Sequence, residues 1–496
     1  MIGIVKFNKI FSQLRCSDAQ LDKIRAALTT VDTKARFKKY GTGLICPITA
    51  FGNFDTPLLF EVIKAIKEIF PGEELNIDPE AVKIAAPRLN DCQLQMPLNE
   101  KIKPYEHQTA AAKAFLNFGR GIVEVPTRGG KSLIVYLVLR SVFAQRKAMK
   151  NALLVVPNTQ LVIQMANDFA TYGLDELFDV VTFSAKTPQI PEERFPHRLI
   201  ISNSQFLRFH ANELPSKIDF LLIDEAHKCG SKTWFTQFAK KFETNYRFGC
   251  TATIPDDVEQ AWRIKKVFGS VVSRSEAPEL IKSGLIAKPK ISVISIHYSP
   301  LPDLQTVGED EDFGEQVVDP QVNKYNIECD WLSSEPMFNS ICGQLISRYN
   351  TGNCLVLFDR TAAGQVIFRS IQSDKKLYLD GETPLKERLK ITDAMNYNHG
   401  FKLIANSACL GVGVTMKSIS AVFVLNVRSA NTAILQQVGR ALMIEKGKEE
   451  TKIIDISTNL RYSKKHAEKR LDLYERVYQV QIAKSDIRTL KVDLNR

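Results

Sequence analysis

The 496-residue chain lacks the cysteine and histidine patterns of a structural zinc site. Its nine cysteines, an odd number, include no C-x-x-C pair and have no histidine partners at zinc-like spacing. Such a pattern is typical of a reduced, intracellular protein. We therefore expect no structural zinc.

Long apolar runs are also missing. The N-terminal stretch "MIGIVKFNKIFSQLRC" is interrupted by Lys6, Lys9 and Arg15, so it lacks the apolar core of a secretion signal. The most apolar stretch, "LIVYLVLRSVF" from Leu133, contains Arg140 and is too short to span a bilayer. These absences predict a soluble, cytoplasmic protein with no membrane partner.

The composition is that of an ordinary globular protein, with 44% hydrophobic and 24% charged residues. The length predicts about two to four domains of roughly 100 to 200 residues. The formal net charge of +11 favours a polyanionic partner such as nucleic acid, although many basic proteins have none.

Short β-branched apolar runs alternate with longer helical patterns from residue 121 to about residue 455. The runs form two groups, one ending near Thr253 and one starting near Asn353. Because strands buried on both faces are near-continuously apolar, we predict two α/β domains with parallel sheets. The runs are "GIVEV", "ALLVVP", "RLIISN", "DFLLID", "YRFGCTAT", "NCLVLF", "KLIAN", "AVFVLN" and "KIIDIS".

The flanking and connecting segments have other patterns. The first 95 residues indicate a small α+β domain with a hairpin turning at Gly41 to Gly43 and a helix, "PLLFEVIKAIKEIF", that has one apolar face. Residues 285–335 favour a strand or hairpin linker with an acidic loop at Gly308 to Glu315. The acidic loop is equally well explained as a solvated insertion with no role. The pattern of the basic tail, residues 461–496, indicates a helix that either packs on the preceding domain or contacts a nucleic-acid backbone.

The stretch "VEVPTRGGKSLI", Val123 to Ile134, has the pattern of a phosphate-binding loop between a strand and a helix. Glycines there let backbone N–H groups converge on phosphate, and the helix N-terminus adds partial positive charge. Lys131 would reach the β- and γ-phosphates, and Ser132 would give its hydroxyl to Mg²⁺. Val125 occupies the position of the first glycine of G-x-x-x-x-G-K-[ST], so a coincidental match stays open on this stretch alone.

A second stretch, "DFLLIDEAH", is an apolar strand that ends in two adjacent carboxylates. Ligands of α/β proteins collect at this end of a parallel strand. Asp224 would hold Mg²⁺, and Glu225 would orient and deprotonate an attacking water. An isolated D-E pair is most often an ordinary polar strand end, but its position after the candidate loop favours the catalytic interpretation.

The order of four motifs resembles that of superfamily 2 helicases and translocases. These motifs are Lys131-Ser132, "DEAH" at 224–227, "TAT" at 251–253 and "QQVGR" at 436–440. The loop of that superfamily is commonly A-x-T-G-x-G-K-T and dispenses with the first glycine. Thr127, Gly130, Lys131 and Ser132 match it, Gly129 adds backbone freedom, and Val125 and Arg128 depart from it.

The resemblance assigns further residues to the nucleotide. It implies that Tyr105 stacks on adenine, that Gln108 bonds its edge, and that Gly413 and Gln436 lie near the nucleotide. Arg440 inherits the role of an arginine finger that reaches the γ-phosphate, because Met443 stands where the family carries its last arginine. It also implies that His227, Thr251 and Thr253 couple hydrolysis to movement. The implied nucleic-acid contacts are Thr159, Gln160, Ser204, Arg360 and Ser407.

The overall layout is most similar to that of phage UvsW-like DNA helicases and the RecG-type branch-migration enzymes. The resemblance implies an ATP- and Mg²⁺-dependent monomeric helicase that acts on branched DNA, including forks, Holliday junctions, R-loops and D-loops, in replication, recombination and repair. It would work in the host cytoplasm if the chain is phage-encoded. An RNA helicase, a restriction-type translocase and a nucleotide-gated binding protein without turnover are the alternatives.

The resemblance also divides the chain into five predicted segments. These are a small α+β domain with a DNA contact at 1–95, a first RecA-like ATP-binding domain at 96–284, the linker at 285–335, a second RecA-like domain at 336–460 and a basic helical tail at 461–496.

Overall fold

The computed structural model describes residues 1–8, 10–31, 43–183, 194–205, 207, 214–231, 233–304, 320–407, 409, 416, 419–425, 434, 437–439, 441–443 and 448–494. Its contacts divide the chain into two compact units, Met1–Ser275 and Glu276–Arg496. The first unit holds both the N-terminal module and the first large sheet, and the second unit begins before the predicted boundary at residue 284.

The N-terminal module is built on a mixed four-stranded sheet, as expected of an α+β domain. Its strands are β1 (Ile2–Lys6), β2 (Phe11–Arg15), β3 (Thr30–Val31), β4 (Leu44–Ile45), β5 (Asn53–Asp55) and β6 (Leu75–Ile77), and its helices are α1 (Asp18–Leu28), α2 (Leu59–Ile69) and α3 (Pro79–Ala85). The sheet has the order β5-β2-β1-β6, and β3 pairs only with β4.

Local sequence explains the helices of this module. Ser17 and Gln20 form a capping box at the start of α1. Helix α2 buries Leu59, Val62 and Ile66 against the sheet, which confirms the predicted apolar face. The strands β3 and β4 pair antiparallel, whereas the predicted turn at Gly41 to Gly43 lies largely outside the described residues.

The first large sheet has seven parallel strands in the order β13-β7-β12-β11-β8-β10-β9. The strands are β7 (Arg120–Glu124), β8 (Asn151–Val156), β9 (Asp179–Phe183), β10 (Arg198–Asn203), β11 (Phe220–Asp224), β12 (Arg247–Thr251) and β13 (Val271–Arg274). The helices are α4 (Glu106–Phe118), α5 (Lys131–Gln145), α6 (Thr159–Thr171), α7 (His227–Ser231), α8 (Thr233–Lys240) and α9 (Val258–Phe268).

The second large sheet has seven parallel strands in the order β16-β17-β15-β18-β19-β14-β20. The strands are β14 (Lys288–Ser299), β15 (Asn353–Phe358), β16 (Lys376–Leu379), β17 (Lys402–Asn406), β18 (Ile419–Leu425), β19 (Glu450–Thr458) and β20 (Ile487–Asp493). The helices are α10 (Ala277–Lys282), α11 (Pro320–Ser334), α12 (Pro336–Ser347), α13 (Thr361–Ser370), α14 (Leu385–Tyr397) and α15 (Arg461–Tyr478).

All nine apolar runs identified in the sequence are strands of these two sheets, which confirms two tandem RecA-like domains of parallel topology. The apolar run from Leu133 is the interior of α5, a helix that is buried on most sides within the first unit. Among the helices that the structure describes, none is long and apolar enough to cross a membrane.

Two segment predictions need correction. Residues 285–335 are not a separate linker, because β14 lies between β19 and β20 inside the second sheet. The tail is not only helical, because β20 follows α15 and forms the edge of the same sheet. The acidic loop at Gly308 to Glu315 lies outside the described residues.

Helix α15 is anchored to the second sheet by a buried ion pair. Arg470 donates from Nε and Nη2 to the two carboxylate oxygens of Asp455 on β19, at 2.7 and 2.6 Å. Tyr474, one turn later, donates its hydroxyl to the same carboxylate at 3.4 Å. The helix therefore packs on the core of the second unit, which was the first of the two interpretations of the tail.

Candidate functional site

The predicted phosphate loop connects β7 to α5 through a tight turn. The amide of Gly129 donates to the carbonyl of Pro126 at 3.0 Å, and Gly130 has a φ of +74°. A Cβ atom on Gly130 would lie 2.0 Å from Nε2 of Gln108. Only glycine satisfies both the left-handed backbone and this close approach. The N-terminus of α5, which begins at Lys131, then presents its amide groups and positive dipole end beside the turn.

Arg128, the residue that departs from the family pattern, has a φ of +74°. A non-glycine residue is strained in this region, and the family carries glycine at this position. The Nε and Nη2 atoms of Arg128 are buried. The side chain of Arg128 therefore does not simply extend into solvent.

The segment before α4 holds the loop from the other side. Gln108, only 3% exposed, donates from Nε2 to the carbonyl of Gly129 at 3.2 Å and accepts from the amide of Tyr105 at 2.9 Å. Nε2 of His107 lies 2.8 Å from the same Gly129 carbonyl. The ring of Tyr105 is 54% exposed and lies nearly parallel to that of His107. The adenine contacts of Tyr105 and Gln108 stay predictions, and Gln108 already has a structural role in the loop.

The two carboxylates follow β11, next to the loop. Glu225 has a φ of +53°, a strained value of the kind found at functional sites. Nζ of Lys131 lies 3.7 Å from Oε1 of Glu225, and their side chains are only 12% and 8% exposed. The fold therefore brings together the lysine and the carboxylate that the sequence assigned to one site from distant positions.

The local charges separate the pKa values of the two acids. Burial, followed by the neighbouring Glu225 charge, raises the pKa of Asp224 to about 6. Burial acts to raise the pKa of Glu225 as well, but Lys131 and His227 outweigh burial and hold that pKa at about 2. Glu225 is therefore ionised in this arrangement and can accept a proton, whereas Asp224 is an acid that gains from a nearby cation.

The residues proposed for Mg²⁺ fit such an ion. Oδ1 of Asp224 is buried and has no hydrogen-bond partner within the part of the chain that the structure describes. Ser132 offers a hydroxyl, which lies 3.1 Å from the hydroxyl of Tyr172. Mg²⁺ at phosphate sites typically takes one or two protein oxygens and completes its shell with phosphate and water. Within the described residues there is no cluster of three or more His, Cys, Asp or Glu side chains that could hold a metal ion. A Mg²⁺ ion that is also bound by phosphate does not need such a cluster.

A hydrogen-bonded chain links the acid to the next strand. His227 Nδ1 lies 3.2 Å from Oε2 of Glu225 and 3.0 Å from Oγ1 of Thr251 on β12. Thr251 in turn donates to the carbonyl of Thr253 at 3.1 Å. The three residues assigned to coupling are thus contiguous with Glu225. That they couple hydrolysis to movement stays a prediction.

Sequence reasoning missed several residues around this site. His107 contacts the phosphate loop, and Tyr172 contacts Ser132. Burial raises the pKa of Asp168, and a hydrogen bond from Ser132 opposes that rise. Glu124, at the end of β7, accepts from the amide of Ile254 at 3.0 Å and so holds the segment after β12. The only sequence signal for His107 is its position beside Gln108.

The predicted nucleic-acid residues of the first unit lie together. Thr159 begins α6 after β8, Gln160 follows it, and Ser204 follows β10, the neighbouring strand. Asn203 donates to Oγ1 of Thr159 at 2.9 Å, which ties the two segments together. All are at the edge formed by the carboxyl ends of the strands.

The second unit places Arg360 and Ser407 after two paired strands, β15 and β17. Arg360 bonds to Asp330 and donates to Asn326 at 2.8 Å, while Ser407 donates to Asp359. The backbone of Met443 forms a bridge with Ile286, beside the start of β14. The predicted residues Gly413, Gln436 and Arg440 lie outside the described residues.

Known protein families match two ranges of the chain. The model described as "Type III restriction enzyme, res subunit" matches residues 101–256, and "Helicase conserved C-terminal domain" matches residues 337–444. The two ranges together cover just over half of the chain. The first range contains six strands of the first large sheet, β7 to β12, and the second range contains four strands of the second, β15 to β18.

The chain is also similar to characterised relatives. It is 22% identical over 347 residues to the ATP-dependent DNA helicase uvsW of Enterobacteria phage T4, covering 69% of this chain and 66% of the relative. It is 30% identical over 200 residues to the DNA 3'-5' translocase XPB2 of Sulfurisphaera tokodaii, covering 40% of this chain and 42% of the relative. The matches therefore span less than two thirds of these relatives' length.

A solved structure supports the fold. The ATP-dependent Type ISP restriction-modification enzyme LlaBIII bound to DNA superposes with a TM-score of 0.56 at 16% identity, over 79% of this chain and 32% of that chain. The ordered motifs, the two parallel sheets and the two family models lead to one conclusion: the chain belongs to the superfamily 2 helicases and translocases and is similar to the UvsW-like phage members.

Proposed function

We propose that the chain is an ATP-dependent DNA translocase that remodels branched DNA. One observation carries the ATPase part of the proposal. Lys131, Glu225, His227 and Thr251 form a continuous chain of polar contacts that starts at the phosphate loop. Through these contacts, a change in what Lys131 binds at the loop can alter the position of Thr251 on the next strand.

Lys131 and Glu225 form an ion pair beside the phosphate loop. At 3.7 Å and an effective dielectric constant of ~20, two opposite charges attract by about 4 kcal/mol. When Lys131 turns toward β- and γ-phosphates, Glu225 loses this cation and its pKa rises. Glu225 then becomes a stronger base at the moment when a water must be deprotonated. Binding of the substrate thus activates the base.

Ser132 and Asp224 would hold Mg²⁺, which supplies positive charge to the phosphate oxygens. The buried and unpartnered Oδ1 of Asp224 is the structural reason for this assignment. Arg440 is proposed to add a second cation at the γ-phosphate, on the evidence of the "QQVGR" motif alone. Tyr105 and Gln108 are proposed to recognise adenine.

DNA as the partner rests on the relatives and on charge. The T4 and Sulfurisphaera relatives are named as acting on DNA, and this chain has a formal net charge of +11. Thr159, Gln160 and Ser204 are proposed to contact one stretch of backbone in the first unit, and Arg360 and Ser407 another in the second unit. Backbone contacts carry little sequence preference and make affinity fall steeply with salt.

Branched DNA as the preferred substrate rests on the N-terminal module. The module is a folded α+β unit with its own core, which the two motor sheets do not need for their own topology. We propose that this module separates strands at a junction while the motor moves. The specific structures, whether forks, Holliday junctions, R-loops or D-loops, follow from the similarity to UvsW-like helicases, and we propose the same for the role in replication, recombination and repair.

A restriction-type translocase on linear duplex DNA is the second candidate. It is favoured by the description of the first family model and by the DNA-bound restriction-modification structure with the same fold. The two candidates share the ATP site and differ in the DNA that stimulates it.

ATP hydrolysis measured across a panel of nucleic acids separates these functions. The panel contains a fork, a Holliday junction, a linear duplex of the same length and a single-stranded RNA. We expect the branched substrates to stimulate hydrolysis most. Equal stimulation by the linear duplex would favour the second candidate, stimulation by RNA alone would contradict a DNA motor, and binding without turnover would support a nucleotide-gated binding protein.

A further inference from the structure

A cationic cavity of about 240 Å³ lies in the first unit, at the edge of the sheet opposite to the phosphate loop. Arg120 and Arg247, the first residues of β7 and β12, are paired in register and line it. Pro57 and Ile84 of the N-terminal module line it as well. The cavity is thus built jointly by the module and by the amino ends of the strands, whereas the nucleotide site follows their carboxyl ends.

The cavity carries an excess of positive charge. Five cationic side chains line it, namely those of Arg120, Lys240, Lys241, Arg247 and Lys266, together with one acidic residue, Glu243. One further carboxylate, that of the buried Asp55, pairs with Lys240 and lies 3.6 Å from Nζ of Lys266. Two carboxylates therefore face five cations, and buried cations without counter-charges are costly.

The two arginines differ in how far their donors are used. Arg247 donates to the carbonyls of Thr244, Ala239 and Phe242, so its guanidinium is occupied by the chain itself. Arg120, only 4% exposed, donates from Nη1 to the carbonyl of Ile84 and from Nη2 to that of Val267. Its Nε is buried and has no hydrogen-bond partner among the residues that the structure describes. A residue that lines the cavity therefore has one donor that the described part of the chain does not use.

The two guanidinium groups also disfavour each other's charge. Burial, followed by the nearby charge of Arg247, lowers the pKa of Arg120 well below its usual range. Burial lowers the pKa of Arg247 to about 10. Arginine keeps its charge in proteins. The carboxylate of Asp55 offsets part of this repulsion at Arg120, and a bound anion would offset more of it.

We propose that this cavity binds a phosphate group, held by Arg120, Lys241 and Lys266. A phosphate has the charge to offset the excess and several acceptor oxygens for donors that converge from different elements. The phosphate comes either from a nucleic-acid backbone or from free phosphate. All three residues belong to the domain of the first large sheet, and the N-terminal module lines the same cavity with Pro57 and Ile84. The proposal does not depend on the ATP-dependent function proposed above.

The test uses the full chain with Lys131→Ala, which removes the phosphate-binding lysine of the nucleotide loop. The thermal midpoint of unfolding is measured in inorganic phosphate and in chloride of equal ionic strength. We expect phosphate to raise the midpoint by on the order of a few °C at concentrations well above the Kd. Adding Lys241→Glu and Lys266→Gln should remove this rise and weaken phosphate binding, measured by calorimetry, at least about tenfold.

A matched control reverses one charge elsewhere in the same unit. Lys64→Glu alters a lysine of α2 that is largely exposed and lies 3.9 Å from a carboxylate oxygen of Glu68 on its own helix. The control should keep the phosphate-induced rise. No rise in the Lys131→Ala protein, or a rise that survives the two cavity substitutions, would overturn the proposal. Midpoints in chloride verify that each variant is folded.

A second arm identifies the source of the phosphate. A single-stranded DNA oligonucleotide is titrated into the Lys131→Ala protein with and without the cavity substitutions. If the backbone of DNA supplies the phosphate, DNA binding weakens with the substitutions and DNA removes the effect of free phosphate. If free phosphate is the ligand, DNA binding is unchanged while the phosphate-induced rise is lost. Both results support a phosphate site and assign its ligand.

Discussion

Replacing Gly130 with alanine tests how the phosphate loop is held. The backbone of Gly130 has a φ of +74°, and an added Cβ would lie 2.0 Å from Nε2 of Gln108. No side-chain carbon approaches a nitrogen so closely, so Gln108 must withdraw. In doing so it gives up its hydrogen bonds to the carbonyl of Gly129 and from the amide of Tyr105, at 3.2 and 2.9 Å.

The cost has two parts that can be measured separately. The left-handed backbone costs an alanine about 1 to 2 kcal/mol relative to glycine. Each lost hydrogen bond costs about 1 kcal/mol. The sum is about 3 to 4 kcal/mol. If the whole cost falls on the conformation of the loop that binds nucleotide, nucleotide affinity falls roughly a hundredfold or more.

A double-mutant cycle with Gln108→Ala isolates the contact. In the Gln108→Ala background, Gly130→Ala should cost only the backbone part, so the two substitutions couple by about 2 kcal/mol, the contribution of the two hydrogen bonds. Nucleotide affinity is measured with a fluorescent ATP analogue, and stability by urea unfolding. Gly72→Ala is the control, because nothing lies within 4 Å of a Cβ at that position. If Gly130→Ala costs the same in both backgrounds, the packing argument is wrong.

Three further substitutions have defined outcomes. Glu225→Gln should bind ATP but not hydrolyse it, because an amide cannot take a proton from water; single-turnover hydrolysis at the normal rate would contradict the general-base assignment. Arg128→Gly should keep most ATPase activity. It should change the free energy of unfolding by no more than about 1 kcal/mol, because relief of the backbone strain and the larger entropy of the unfolded chain oppose each other. A loss of activity larger than tenfold would give Arg128 a role in binding. Arg470→Ala should lower the free energy of unfolding by about 3 to 5 kcal/mol, because it leaves Asp455 charged and buried. Arg470→Met combined with Asp455→Leu should cost much less, because it removes both charges. Equal losses of the two variants in urea unfolding would refute the ion-pair explanation.

The placement of Lys131 and Glu225 was predictable because both residues follow apolar strands. Lys131 and Glu225 are far apart in sequence, but each comes just after a buried run. The carboxyl ends of parallel strands meet at one edge. This regularity predicts that Lys131 and Glu225 lie at one edge, and in the structure the two side chains are 3.7 Å apart. Thr251 was assigned from the family resemblance, and His227 connects it to Glu225.

The sequence was misleading where pairing is non-local. Strand β14 was assigned to a linker because its sheet neighbours, β19 and β20, lie more than a hundred residues downstream. Strand β20, "IRTLKVD", is largely exposed at the sheet edge and carries charges, so its pattern does not differ from that of a solvated tail. His107 was not predicted for a different reason, because a histidine that contacts a backbone carbonyl produces no periodic pattern in the sequence.

The central claim is that the contacts from Lys131 to Thr251 form a DNA-driven ATPase. Steady-state ATP hydrolysis by the full chain, measured with and without DNA, tests it most directly when the Lys131→Ala variant is measured beside it. We predict hydrolysis that DNA stimulates and that Lys131→Ala abolishes while the variant keeps its fold. Hydrolysis that is absent with every DNA tested, or that persists unchanged in Lys131→Ala, would contradict the account.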